Sequence, residues 1–120
     1  MLTSYQQLKV WQKSIDLVAE VYRLTKLYPK EELYGITIQS RRAAVSIPSN
    51  IAEGYTRKHR QEYIQFIRIA FGSGAELETQ LIIGKKLKFA PPEEFKKSED
   101  LLDEVMKMLN GLINTLVAKP

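Results

Sequence analysis

Apolar residues recur every three or four positions along almost the whole chain, and few segments alternate with period two, so the pattern predicts an all-α protein. Four helices account for it. The first runs from about Tyr5 to Tyr28, with Leu8, Trp11, Ile15, Val18 and Tyr22 on one seam and Pro29 as its stop. Val10, Ser14, Leu17, Val21, Leu24 and Tyr28 form an adjoining seam at the same spacing. Together they make a stripe wider than a small bundle needs on one side, and the surplus, read onto this second seam, points to subunit contacts.

A second helix is predicted from Glu32 to Glu53, rich in the small residues Ser40, Ala43, Ala44, Ser46, Ser49 and Ala52 that let backbones approach. Pro48 lies inside it and predicts a kink, and Gly54 is placed to end it in a left-handed conformation. The turn YTRKHR leads to a third helix, Arg60 to Phe89, roughly 45 Å long at 1.5 Å per residue. Its seam is Tyr63, Phe66, Ile67, Ala70, Gly74, Leu77 and Leu81, and Gly72, Gly74 and Gly84 invite a close neighbour. Pro91 and Pro92 open a fourth helix, Pro92 to Val117, with Leu102, Val105, Leu109, Leu112 and Leu116 as its seam. Glu93 and Glu94 suit the positive end of that helix, and Lys85, Lys86 and Lys88 the negative end of the third. The breaks are short turns marked by Pro or Gly, which favour neighbours running in opposite directions: an antiparallel up-down-up-down four-helix bundle, one domain over residues 1–120.

Composition narrows the chemistry. With 120 residues and no cysteine, the chain has no disulfide or thiolate site, and a single histidine, His59, excludes any centre built on two imidazoles. No apolar run approaches the roughly 18 residues of a spanning helix, and the first residues carry no secretory pattern, so a cytoplasmic protein without membrane contact is expected. The net charge of +4 is unevenly distributed. Residues 41–60 hold five basic side chains against the single acid Glu53, whereas 89–120 hold four basic and six acidic. Arg41, Arg42, Arg57, Lys58 and Arg60, with Arg68 beyond them and Tyr55 among them, therefore form a candidate nucleic-acid-binding set. Arginine predominates there, and its guanidinium can clamp phosphates bidentately and stack on bases.

Enzymatic alternatives are weaker. A ferritin-type di-iron core needs two Glu-x-x-His pairs and His59 has no glutamate three positions before it. A catalytic triad would have to use His59 between Lys58 and Arg60, and Gly72-Ser73-Gly74 matches only half of a dinucleotide fingerprint, with Leu77 where the third glycine belongs. Glu53, Glu76 and Glu78 are the remaining candidates for acid–base work. Ser46, Asn50, Glu53 and Ser73 read better as a structural polar network between helices two and three, satisfying backbone groups freed by Pro48. The expectation is a non-enzyme with no catalytic residue, no metal and no cofactor.

Three segments carry a resemblance: LKVWQKSIDLVAEVY in the first helix, YGITIQSRRAAVSIPSNIAEGY in the second and EYIQFIRIAFGSGAELETQL in the third. They resemble the four-helix bundle proteins encoded in intervening sequences of bacterial large-subunit ribosomal RNA genes, a family similar in turn to the accessory protein of diversity-generating retroelements. The resemblance covers nearly the whole chain. It implies a ring-like homopentamer, contact with RNA or DNA through a basic surface, and an accessory role beside a nucleic-acid enzyme such as a reverse transcriptase. In one respect the chain departs from the family pattern: His59 stands where a serine would begin a Ser-x-x-Glu capping box, which weakens that box. A protein–protein adaptor that binds no nucleic acid is the alternative reading.

Overall fold

The computed structural model describes residues 4–119, and among them every regular element is helical. Ser4 caps a short 3₁₀ turn, Tyr5–Gln7, through a reciprocal capping box with Gln7. Leu8 is extended, so the first α-helix, α1, is Lys9–Thr25, shorter at both ends than its apolar pattern suggests. Its buried residues are Val10, Ser14, Leu17, Val21 and Leu24 on one face, joined by Glu20 and Thr25. The seam read as surplus is therefore the core, and the seam read as core is the outer one, with Ile15 40% and Tyr22 38% exposed. Ser14 explains the reversal. Its hydroxyl donates to the Trp11 carbonyl at 2.7 Å, which lets a nominally polar residue occupy a fully buried position.

The chain leaves α1 through Tyr28 and Pro29, forms a 3₁₀ turn at Lys30–Glu32 and then a π-helical turn at Leu33–Thr37. Gly35, at φ −113° and ψ −116°, lies outside helical space, so α2 begins at Ile38 and not near Glu32. α2 is Ile38–Tyr55 and runs through Pro48, which is buried. Gly54 does not end it in a left-handed conformation, since no glycine among the described residues has positive φ. It is buried because a Cβ there would lie 2.7 Å from the Phe66 Cβ. Its role is close approach.

α3 is Arg60–Lys86 and ends before Phe89. Lys88 takes the left-handed conformation (φ 61°), Lys88 N–H donates to the Lys85 carbonyl and Phe89 N–H to the Gly84 carbonyl at 2.9 Å, a Schellman closure made without glycine. Of the three glycines in this helix, Gly74 and Gly84 serve contact: added Cβ atoms would collide with the Met106 thioether and with the Tyr28 hydroxyl respectively. Gly72 is exposed with nothing within 4 Å, contrary to the expectation for it. After a 3₁₀ turn at Pro92–Phe95, α4 is Lys96–Ala118, burying Ser98, Leu102, Val105, Leu109, Ile113 and Leu116. Ile113 takes the deeper position that the spacing gives to Leu112, which is half-buried.

Four helix pairs enclose one core: α1 with α2, α2 with α3, α3 with α4 and α4 with α1. In each well-marked pair, contacting residue numbers rise on one helix as they fall on the other. Ser46 meets Ser73 and Gly54 meets Phe66; Lys85 meets Glu99 and Gly74 meets Met106; Arg23 meets Glu94 and Lys13 meets Glu104. Charges expected to serve helix dipoles thus also bridge helices. Glu20 is the most enclosed acid, bonded to Arg23 at 2.6 Å and facing Lys97 at 3.8 Å, while Arg23 reaches the Glu94 carboxylate and carbonyl at 2.9 Å each. The bundle measures 48 × 23 × 21 Å, and none of its helices is long and apolar enough to cross a membrane.

Two predictions follow from this packing. Leu17→Asp puts a charge in the core and should destabilise by more than about 4 kcal/mol, abolishing cooperative thermal unfolding, whereas Ile15→Asp on the outer seam should cost less than about 1 kcal/mol in the folded subunit. Tyr28, packed against Phe89 and Phe95, has its phenol pushed up to about 12 by burial. The folded state therefore holds that proton where the unfolded chain has released it, so the Tyr28 contribution to stability should be constant below pH 10 and fall between pH 10 and 12 by about 2–3 kcal/mol. Denaturant melts of Tyr28→Phe across that range should lose this component of the fall.

Candidate nucleic-acid interface

The basic turn is built by the close approach at Gly54. Contact with Tyr63 and Phe66 draws the end of α2 onto the start of α3, and Thr56 closes the helix by donating its hydroxyl to the Glu53 carbonyl at 2.8 Å. Arg57 N–H then reaches the Gly54 carbonyl. The Arg57 guanidinium lies over the Phe66 ring, 4.7 Å from its centroid, and faces the Glu53 carboxylate at 3.5 Å. His59 precedes α3 in an extended conformation and makes no side-chain cap bond, so the serine-type half of a capping box is missing here.

Arg57, Lys58, His59, Arg60 and Tyr63 share a cleft with Leu116 and Lys119 from the end of α4. Among the described residues no carboxylate side chain lines it. Burial, with the Tyr55 phenol adding to it, holds Tyr63 above its usual pKa, so it is a neutral hydroxyl at physiological pH; its ring meets that of Tyr55 edge-on at 6.0 Å. The arrangement offers cations, one stacked guanidinium and half-buried aromatic rings at one end of the bundle. Phosphates and bases are recognised through those elements.

The other predicted cations lie elsewhere. Arg41 and Arg42 are near the start of α2, sixteen residues before Arg57, about 24 Å along the helix axis. Arg41 donates Nε to the Thr25 hydroxyl at 2.9 Å and lies 4.7 Å over the Tyr22 ring, which ties it to α1. Arg42 is exposed. Arg68 is exposed on α3, two turns past Arg60. The basic block is thus contiguous in sequence and divided in space by the length of α2. Lys119 was missed by the sequence reading because it belongs to the net-acidic last quarter. Its spacing of three from the core residue Leu116 was the available signal.

Three of the four residues assigned to the polar network meet. Ser46 and Ser73 hydroxyls are 2.8 Å apart, and Asn50 donates Nδ2 to the Ser46 carbonyl at 2.8 Å and to its hydroxyl at 2.9 Å. Glu53 is outside it, turned to Arg57. Nor does the network relieve Pro48: the helical acceptor that proline deprives is the Ala44 carbonyl, whereas Asn50 reaches that of Ser46. Glu53, Glu76 and Glu78 are all exposed. Among the described residues no three His, Cys, Asp or Glu side chains are grouped so as to hold a metal ion.

Residues 6–111 match the family model described as 23S rRNA-intervening sequence protein. A solved structure from Bacteroides thetaiotaomicron, described as a protein of unknown function from the S23 ribosomal protein family, is similar with a TM-score of 0.80 and 23% identity, over 87% of this chain and 97% of that one. At that identity the likeness carries the fold. No functionally curated protein matches.

Proposed function

We propose, for a chain that belongs to the 23S rRNA-intervening sequence protein family, a non-enzymatic role: an oligomeric helical bundle that binds RNA or DNA through its basic end and serves as an accessory factor to a nucleic-acid enzyme such as a reverse transcriptase. The observation that carries this reading is the cleft of Arg57, Lys58, Arg60 and Lys119 beside Tyr63, which has no carboxylate side chain among its described lining residues. Arg68 extends its reach along α3, and Arg41 and Arg42 form a second, separate basic site. The contact registers support an antiparallel up-down-up-down order. A ring-like homopentamer acting in the cytoplasm completes the reading: Ile15 and Tyr22 on α1 form the outer apolar seam, and Ile69 and Ile82 on α3 are 46% and 60% exposed, surface that neighbouring subunits would cover.

Binding of this kind is electrostatic and relaxed in sequence. In filter-binding titrations across salt, log affinity should fall linearly with log salt, with a slope of roughly −0.7 per phosphate contact on single strands and −0.9 on duplexes. Substituting Arg57 and Arg60 by Ala should weaken all sequences about equally and flatten that slope. Affinity no greater than that of a control protein of equal charge would favour the adaptor reading instead. For assembly, light scattering at micromolar concentration should give five times the 13.8 kDa chain mass, and Ile15→Asp should lower it; the mass of one chain would exclude the ring.

A further inference from the structure

At the opposite end of α2 from the basic turn, where α1 gives way to it, a second cleft of about 300 Å³ is lined by Thr25, Lys26, Tyr28, Lys30, Thr37 and Arg41 among others. That volume is at the low end for small-molecule sites. The lining holds three cations and no carboxylate. Lys26 and Lys30 are exposed and make no ion pair among the described residues. Arg41 commits only Nε to Thr25, leaving Nη1 and Nη2 without a hydrogen-bond partner among the described residues, while Tyr22 beneath its plane fixes its orientation.

Thr37, 3% exposed, closes the floor of the cleft; its Oγ1 is sealed and does not face the opening. Tyr28 contributes a ring wall only, because its hydroxyl is directed at Gly84.

We propose that this cleft binds a phosphate monoester group, with Arg41 taking two phosphoryl oxygens through its terminal nitrogens and Lys26 and Lys30 neutralising the charge. Arginine in a fixed plane supplies the bidentate geometry that such a group accepts. The site is independent of the Arg57–Lys119 end, about 24 Å away along α2. The same chemistry is presented by free phosphate and by a nucleotide.

Isothermal titration of the full chain with inorganic phosphate and, separately, with adenosine 5′-monophosphate tests it. Saturable binding of one equivalent per chain is expected for at least one probe. Equal affinities would identify a free-anion site, and tighter binding of the monophosphate a nucleotide site. Lys26→Ala and Lys30→Ala should each weaken binding at least tenfold, while Lys107→Ala, a cation removed from α4 outside the cleft, should leave it unchanged. Both lysines are exposed, so their substitution tests the site without disturbing the core. No saturable binding of either probe, or binding that survives Lys30→Ala, would overturn the proposal. Either result would leave the salt dependence carried by Arg57 and Arg60 untouched, which separates the two failures.

Discussion

The contact on which the basic end of the molecule depends is the approach of α2 to α3 at Gly54. With the Phe66 Cβ only 2.7 Å from where a side chain would begin, no other residue fits without moving one helix. That contact fixes the register continued by the Ser46–Ser73 hydrogen bond some two turns away, puts Phe66 beneath the Arg57 guanidinium, and brings Tyr63 to the cleft wall. Displacing the helices would disperse the turn's cations into solvent. The arrangement of the basic end is therefore a consequence of packing, and the residue enforcing it carries no charge.

A second consequence concerns where the net charge of +4 is expressed. Acids and bases of α1, α4 and the turn before α4 neutralise one another: Lys13 with Glu104, Arg23 with Glu20 and Glu94, Lys97 with Glu20. The exposed pair Lys13–Glu104 adds little stability, typically under about 1 kcal/mol, but together these pairs leave that side of the bundle without strong potential. The cations of the α2–α3 side, Arg42, Lys58 and Arg68, have no ion-pair partner among the described residues. The positive field is thus concentrated on one side by pairing on the other, which a modest total charge alone does not indicate.

The four helices were legible because apolar residues at three- and four-residue spacing dominate the chain, and the seams predicted for the third and fourth helices are close to the observed core. On the first helix the pattern offers two adjoining seams and does not say which one faces inward; the seam given to subunit contacts is the core, with Ser14 accommodated there by a local bond to the Trp11 carbonyl. Helix ends were less legible: Lys88 occupies a left-handed position usually held by glycine, and Gly35 breaks the second helix before it starts. At the candidate site, sequence proximity stood in for spatial proximity. Arg41 and Arg57 are close in the chain yet separated by most of a helix, whereas Lys119, distant in the chain, joins Arg57, Lys58 and Arg60 because α4 ends beside the turn. Which of two equivalent glycines makes contact, Gly72 or Gly74, depends on the register with Met106 and is set only by the fold.

In the proposed function, nucleic acid meets the end of the bundle formed by the α2–α3 turn and the close of α4. Amide hydrogen exchange, measured on the protein alone and saturated with a single-stranded oligonucleotide, addresses it without any substitution. Added protection should concentrate around residues 56–64 and 115–119, with the ion-paired surface of α1 and α4 near Glu20, Glu94 and Asp100 unchanged. Protection centred on that ion-paired surface, or no added protection anywhere in the chain, would contradict it.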